Sequence, residues 1–149
     1  MILGGGKRYM KRLGTLAAIG MISGIVLALF LKIIELITAN QVYYLLFDTS
    51  YIPILNELYP IWLIEVTFHF TTCVISIIAL YYLLRYIQLE KSIITYVFVI
   101  GIGSGLLYFL TLLSEKTPHI TDIAAWIYWI VGHALFSLTA GYLIRKWVE

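Results

Sequence analysis

Four apolar runs, at residues 13–31, 61–84, 92–113 and 123–144, constrain this chain more than any other feature. A bilayer core takes about 20 residues of helix to cross, so each run is long enough to span one. Inside lipid every backbone amide must find its partner within the chain, so runs of this length predict helices. The first holds no charge and is expected to continue helically to about residue 37. The second holds Glu65 and His69, the third holds no ionised group, and the fourth holds His133. Composition agrees: 62% of the 149 residues are hydrophobic and only 12% are charged, where a soluble domain carries about 25%. The expected fold is an all-α membrane protein. It is a four-transmembrane-helix bundle forming one domain, with connections at 38–60, 85–91 and 114–122.

Charge sets the orientation. Lys7, Arg8, Lys11, Arg12, Arg85, Lys91, Arg145 and Lys146 flank one side; only Lys32 and Lys116 fall toward the other. That bias predicts two cytoplasmic termini. Tyr59, Trp62, Trp126 and Trp129 then mark the outer interface, and Tyr81, Tyr82, Tyr86, Tyr96, Tyr142 and Trp147 the inner one. The basic start could pass for a secretory signal. Its apolar run exceeds an h-region of about 7–15 residues, and no A-x-A-like site follows directly, so a retained span is expected. A net charge of +2 offers little to nucleic acid, and a single cysteine, Cys73, excludes an intrachain disulfide. The "KRYMKR" cluster is expected to set topology and touch anionic lipid.

The outer connection, "TANQVYYLLFDTSYIPILNELYP", mixes aromatic and aliphatic residues with Asp48 and Glu57. One reading lays it along the interface, broken into short helical pieces by Pro53 and Pro60; the favoured expectation is a partly ordered loop packed over the bundle.

Lipid tails are as apolar as leucine, so the helices need another reason to associate. Gly20, Gly24 and Ala28 form a stripe of small residues on the first span, and Gly101 and Gly105 another on the third, with Gly103 between them. Both are expected to be packing surfaces. A hinge or ion-coordinating break within "GIGSG" is the alternative for the second stripe.

Ionisable groups inside a membrane normally face the bundle or a water-filled cavity. Glu65, His69, Cys73 and Ser76 recur at three- and four-residue spacing, so they share a stripe, and His133 and Ser137 share another. Glu35 lies about three turns beyond Gly24, with Lys32 one turn away as a pairing partner. At about 1.5 Å per residue, Glu35 and Glu65 sit about 5–8 Å from the outer ends, and His69 and His133 about 13–16 Å. Glu35, Glu65, His69 and His133 could therefore converge in one pocket that opens outward.

"GMISGIVLALFLKIIE" (20–35) resembles the first span of the YagU-like family of small bacterial inner-membrane proteins. "VTFHFTTCVIS", with His69, resembles their histidine-bearing middle span, and "IVGHALFSLTAGYLIRK" (130–146) their closing span. The chain departs from them in a shorter outer loop and a very short C-terminal tail. The resemblance implies a four-span inner-membrane protein associated with acid tolerance. By motif position it carries over Glu35, His69 and His133; Glu65 rests on this sequence alone.

One reading of the cluster is structural, with its side chains holding helices in register. The functional readings are a site that responds to protons or binds a small solute or cation, a divalent metal held by Glu65, His69 and His133, and, ranked last, a haem between His69 and His133. No cofactor is expected to be required. No span carries paired aspartates and no serine sits in an elbow motif, so the expected role is non-enzymatic. Cys73 is expected to be a small buried hydrophobe and His119 a solvated loop residue. The partners expected are the bilayer and either a second copy or a larger membrane complex. In that last case the chain would be a scaffold subunit docked through its glycine stripes.

Overall fold

The computed structural model describes residues 3–50, 52, 54, 61–113 and 118–148. Four α-helices make up most of it: α1 (Leu3–Thr38), α2 (Ile61–Tyr86), α3 (Ile93–Leu107) and α4 (Ile123–Trp147). Two 3-10 segments, Gln41–Leu46 and Tyr108–Leu113, follow α1 and α3. No strand occurs among the described residues. Four spans are long and apolar enough to cross a membrane, the third being α3 with its 3-10 extension. Pro53, Glu57, Tyr59, Pro60 and Lys116 lie outside the described residues.

Large apolar side chains cover the outside of every helix. Leu29, Ile33 and Leu36 on α1, Trp62 and Leu83 on α2, Phe98, Ile102 and Leu106 on α3, and Ile127 and Leu138 on α4 are all exposed. A helix that is apolar all round belongs in lipid, and the protein is a multi-pass membrane bundle. The start of α1 and the end of α4 lie together, where Arg8, Lys11 and Arg12 share a groove with Trp147 and Val148.

Helix α1 packs along both α2 and α4, and α4 packs along α3. Helices α2 and α3 are joined by a short turn yet scarcely touch. The order around the bundle is therefore α2–α1–α4–α3, with a cleft between its two ends. Glycines set the closest approaches. A Cβ built on Gly20 would stand 2.7 Å from Val74 Cα, and one on Gly24 would stand 3.0 Å from Cys73 Sγ. The α1–α4 contact rests on Gly132, whose Cβ would meet Leu27 at 2.9 Å, and the α3–α4 contact on Gly141, 3.2 Å from Ile93 Cα. On α3 the outcome differs from expectation. Nothing lies within 4 Å of a Cβ on Gly101 or Gly103, and Gly105 meets only Ile130, at 3.8 Å. The helix also runs without a break through residues 101–105.

Local chemistry ends these helices. Asp122 caps α4, its side chain accepting from Ala125 N at 3.0 Å, and Ser92 caps α3 through Thr95 N at 3.4 Å. Ala39 and Gln88 follow α1 and α2 at φ 57° and 61°, the left-handed turn that stops a helix. The third span, expected as one helix over 92–113, tightens to 3-10 from Tyr108. Three residues per turn put Tyr108 and Thr111 on one face, and both are buried. The Tyr108 hydroxyl holds that turn to the next connection, donating to His119 O at 3.3 Å and Asp122 O at 3.1 Å.

Residues 40–49 of the first connection fold inward as a roof. Val42, Leu46, Asp48 and Thr49 are buried. Asn40 Nδ2 donates to Asp122 Oδ2 at 2.9 Å, tying the start of the roof to the α4 cap. Lys32 Nζ stands 4.8 Å from the Tyr43 ring centre and 2.8 Å from Glu35 Oε2, which fixes the roof to α1.

Candidate functional site

Under the roof, in the half of the bundle away from the termini, lies a cavity of about 420 Å³. Every element contributes to its wall. Helix α2 supplies Phe68, His69, Thr72, Cys73 and Ser76, and α3 supplies Ile100, Gly103, Ser104 and Leu107. Helix α4 supplies Trp129, His133 and Phe136, one helical stripe at four- and three-residue spacing. Leu27 of α1 forms part of the back; Leu45, Leu46 and Asp48 come from the roof, and Tyr108, Leu110 and Thr111 from the 3-10 segment. A mostly apolar wall with a few convergent polar groups is the usual make-up of a small-molecule site, and the volume falls in the usual range of about 300–1,000 Å³.

The close α1–α2 approach positions His69. Its ring is buried between Phe47 of the roof and Phe70, with ring centres 5.1 and 5.0 Å away. Its Nε2 faces Gly24 O at 3.4 Å, with Cys73 Sγ 3.8 Å away. A carbonyl can only accept, so Nε2 carries the proton and Nδ1 keeps a lone pair. His133 is held the other way round. Its Nδ1 donates to Trp129 O at 2.8 Å, one turn back on α4, so Nε2 keeps the lone pair. The Trp129 indole lies 4.4 Å from the His133 ring, and its Nε1 donates across the helices to Ser104 O at 2.8 Å. Ser104 Oγ donates to Gly101 O at 3.1 Å.

The structure separates the four residues expected to converge. His69 and His133 line one cavity; Glu35 and Glu65 do not. Glu35 is engaged with Lys32 on the roof side of α1. Glu65 is half-buried one turn from His69, outside the cavity wall. Glu65 shares the stripe of His69 but stands one turn nearer the start of α2, beyond the wall, and Glu35 is drawn into its pair with Lys32. Among the described residues no three His, Cys, Asp or Glu side chains come together as a metal set. The Glu65 carboxylate expected to join the two imidazoles is not in the wall. Cys73 is buried, and His119 is exposed, its Nδ1 accepting from the Thr121 hydroxyl at 2.9 Å.

No family model, curated protein or solved structure matches the chain.

Several buried residues have places that sequence reasoning does not assign. Trp129, expected at the outer interface, is buried beside His133; its place four residues before that histidine was the available signal. Tyr81 and Tyr96, expected in the inner belt, are buried as well, with Tyr96 OH donating to Glu90 O at 3.2 Å. Asp48 is buried in the roof, its Oδ1 accepting from Ser50 N at 3.0 Å. A lone acid within an apolar connection was its signal. Ser104 sits in the run read for its glycines, and nothing in that run distinguishes its role.

Proposed function

We propose that this is a non-enzymatic protein of the bacterial inner membrane, with cytoplasmic termini, that binds a small molecule in the His69/His133 cavity and responds to protons there. The observation that carries this reading is that two intramembrane imidazoles, from helices that are not sequence neighbours, line one cavity of about 420 Å³. Polar groups at that depth are costly, and two of them in one cavity with an apolar wall mark a binding site. Histidine is the side chain whose ordinary titration falls near physiological pH. A proton arriving at either lone pair turns an acceptor into a donor and places charge in the cavity, so occupancy changes with pH. Asp48, Cys73 and Tyr108 are the other titratable groups in the wall. The location, and a link to acid tolerance, rest on the resemblance to YagU-like proteins and on the asymmetry of lysine and arginine.

The test is the stability of the purified protein at neutral and acidic pH, compared with His69→Gln, His133→Gln and the double variant. Residues in one network couple by about 0.5–3 kcal/mol. Non-additive effects, with a pH-dependent shift that each single variant reduces, are expected. Strictly additive effects with an unaltered pH profile would overturn the shared site and leave two separate helix-positioning histidines.

A further inference from the structure

Granted the binding site proposed above, we infer that its ligand is a lipid-soluble ring compound bearing hydroxyl donors, a quinol or phenol, which reaches the cavity sideways from the bilayer between α2 and α3. The chemistry follows from which hydrogen-bonding groups of the wall are already engaged. Several donors of the wall are taken by backbone carbonyls. Trp129 Nε1 is held by Ser104 O, the Tyr108 hydroxyl by His119 O and Asp122 O, and the Ser104 hydroxyl by Gly101 O. Both imidazoles likewise direct their N–H at carbonyls, His133 at Trp129 O and His69 at Gly24 O. What remains are the hydroxyls of Thr72, Ser76 and Thr111, which can donate or accept, and two groups that can only accept, the lone pairs on His133 Nε2 and His69 Nδ1. Neither nitrogen has a hydrogen-bond partner among the described residues. A ligand that brings donors can satisfy all of these groups, because the hydroxyls pair either way, whereas a ligand with acceptors alone would leave the two nitrogens desolvated and unpaired. Aromatic rings in the wall, from Phe68, Trp129 and Phe136, suit a flat ring rather than a flexible chain.

The route follows from the packing order. Helices α2 and α3 flank the cavity but scarcely touch, so the cleft between them faces lipid. Thr72 and Ser76 of α2 and Leu107 of α3 line the cavity and are exposed. The two hydroxyls make no hydrogen bond with a described residue. Thr15, Thr38, Ser137 and Thr139, in contrast, donate to carbonyls of their own helices. Gly103 is on the α3 side of the cleft, and a Cβ there would meet nothing within 4 Å. The roof, meanwhile, is fastened at Asn40 and Tyr43. Lateral access selects for molecules that already partition into the bilayer.

The experiment measures binding of a decyl-tailed benzoquinol and of its oxidised quinone, under anaerobic conditions, to the purified protein in lipid nanodiscs. The quinol donates two hydroxyls; the quinone only accepts. We expect the quinol to bind at least tenfold more tightly, and His133→Phe, which keeps a ring and removes the lone pair, to lose that preference. Gly103→Leu fills open space on a helix without a steric clash, so the variant should fold as well as the parent and lose quinol binding. Equal affinity for quinol and quinone would overturn the donor argument. Full quinol binding by a folded Gly103→Leu would overturn the cleft as the route. Absence of quinol binding while the His69/His133 coupling persists would overturn this ligand class alone; loss of the coupling would overturn the site itself.

Discussion

Replacing Gly20 by alanine adds one methyl group where α1 meets α2, and the structure sets its size and sign. The new Cβ would lie 2.7 Å from Val74 Cα and 3.1 Å from both Cys73 O and Val74 N. All three are backbone atoms, so no rotamer change can relieve the contact. To regain a carbon–carbon separation of about 3.5–4.0 Å, the helices must part locally by roughly 0.8–1.3 Å. A gap of that order forfeits about half of each pairwise attraction of about 0.1–0.2 kcal/mol. The seam holds Leu16, Ile19, Cys73 and Ile77, all buried. If roughly twenty atom pairs are affected, the loss is about 1–2 kcal/mol, within the usual range of about 1–3 for overpacking. The helix preference of alanine over glycine returns up to about 1 kcal/mol. Gly14→Ala isolates that second effect, because Gly14 is on the same helix with nothing within 4 Å of its Cβ. The helix preference is common to both, so the two variants should differ by about 1–2 kcal/mol, roughly five- to thirtyfold in unfolding equilibrium. Gly14→Ala should match or exceed the parent. Gly24→Ala should fall between them, since its closest neighbours are side-chain atoms, Cys73 Sγ at 3.0 Å and Phe70 Cδ1 at 3.3 Å, which can yield. Reversible unfolding in mixed micelles measures all three. Equal shifts for Gly14→Ala and Gly20→Ala would refute the close backbone seam, and with it the anchoring of His69 on Gly24.

Trp129→Phe removes the indole N–H donated to Ser104 O at 2.8 Å. Cross-helix bonds of this kind contribute about 0.6–2 kcal/mol, so a stability loss near 1 kcal/mol is expected in the same unfolding assay. Asp122→Ala removes both the α4 cap at Ala125 N and the tie to Asn40. It should cost about 1–2 kcal/mol and speed hydrogen exchange at the Ala125 amide and in the Gln41–Leu46 segment; unchanged exchange there would show that the roof is held elsewhere.

The four spans were legible in the residue order because crossing a bilayer is a one-dimensional requirement. Length, apolarity and the absence of charge are all countable, and the helices follow those counts to within a few residues except at the N-terminus, where α1 begins earlier. That His69 and His133 can reach one cavity was legible for the same reason, since rise per residue is constant. Azimuth was not. A glycine stripe on α1 and another on α3 look alike in sequence, yet only Gly20 and Gly24 meet a neighbouring helix closely, while α4 supplies Gly132 and Gly141 instead. Glu35 and Glu65 were placed one level shallower than the imidazoles and expected to join them, but neither is in the cavity wall. The order α2–α1–α4–α3, the inward fold of the roof and the open cleft beside Gly103 depend on which faces of four similar helices bury best against each other. That choice is made by shape complementarity over the whole bundle, because apolar side chains of similar hydrophobicity carry no label for the helix they will touch.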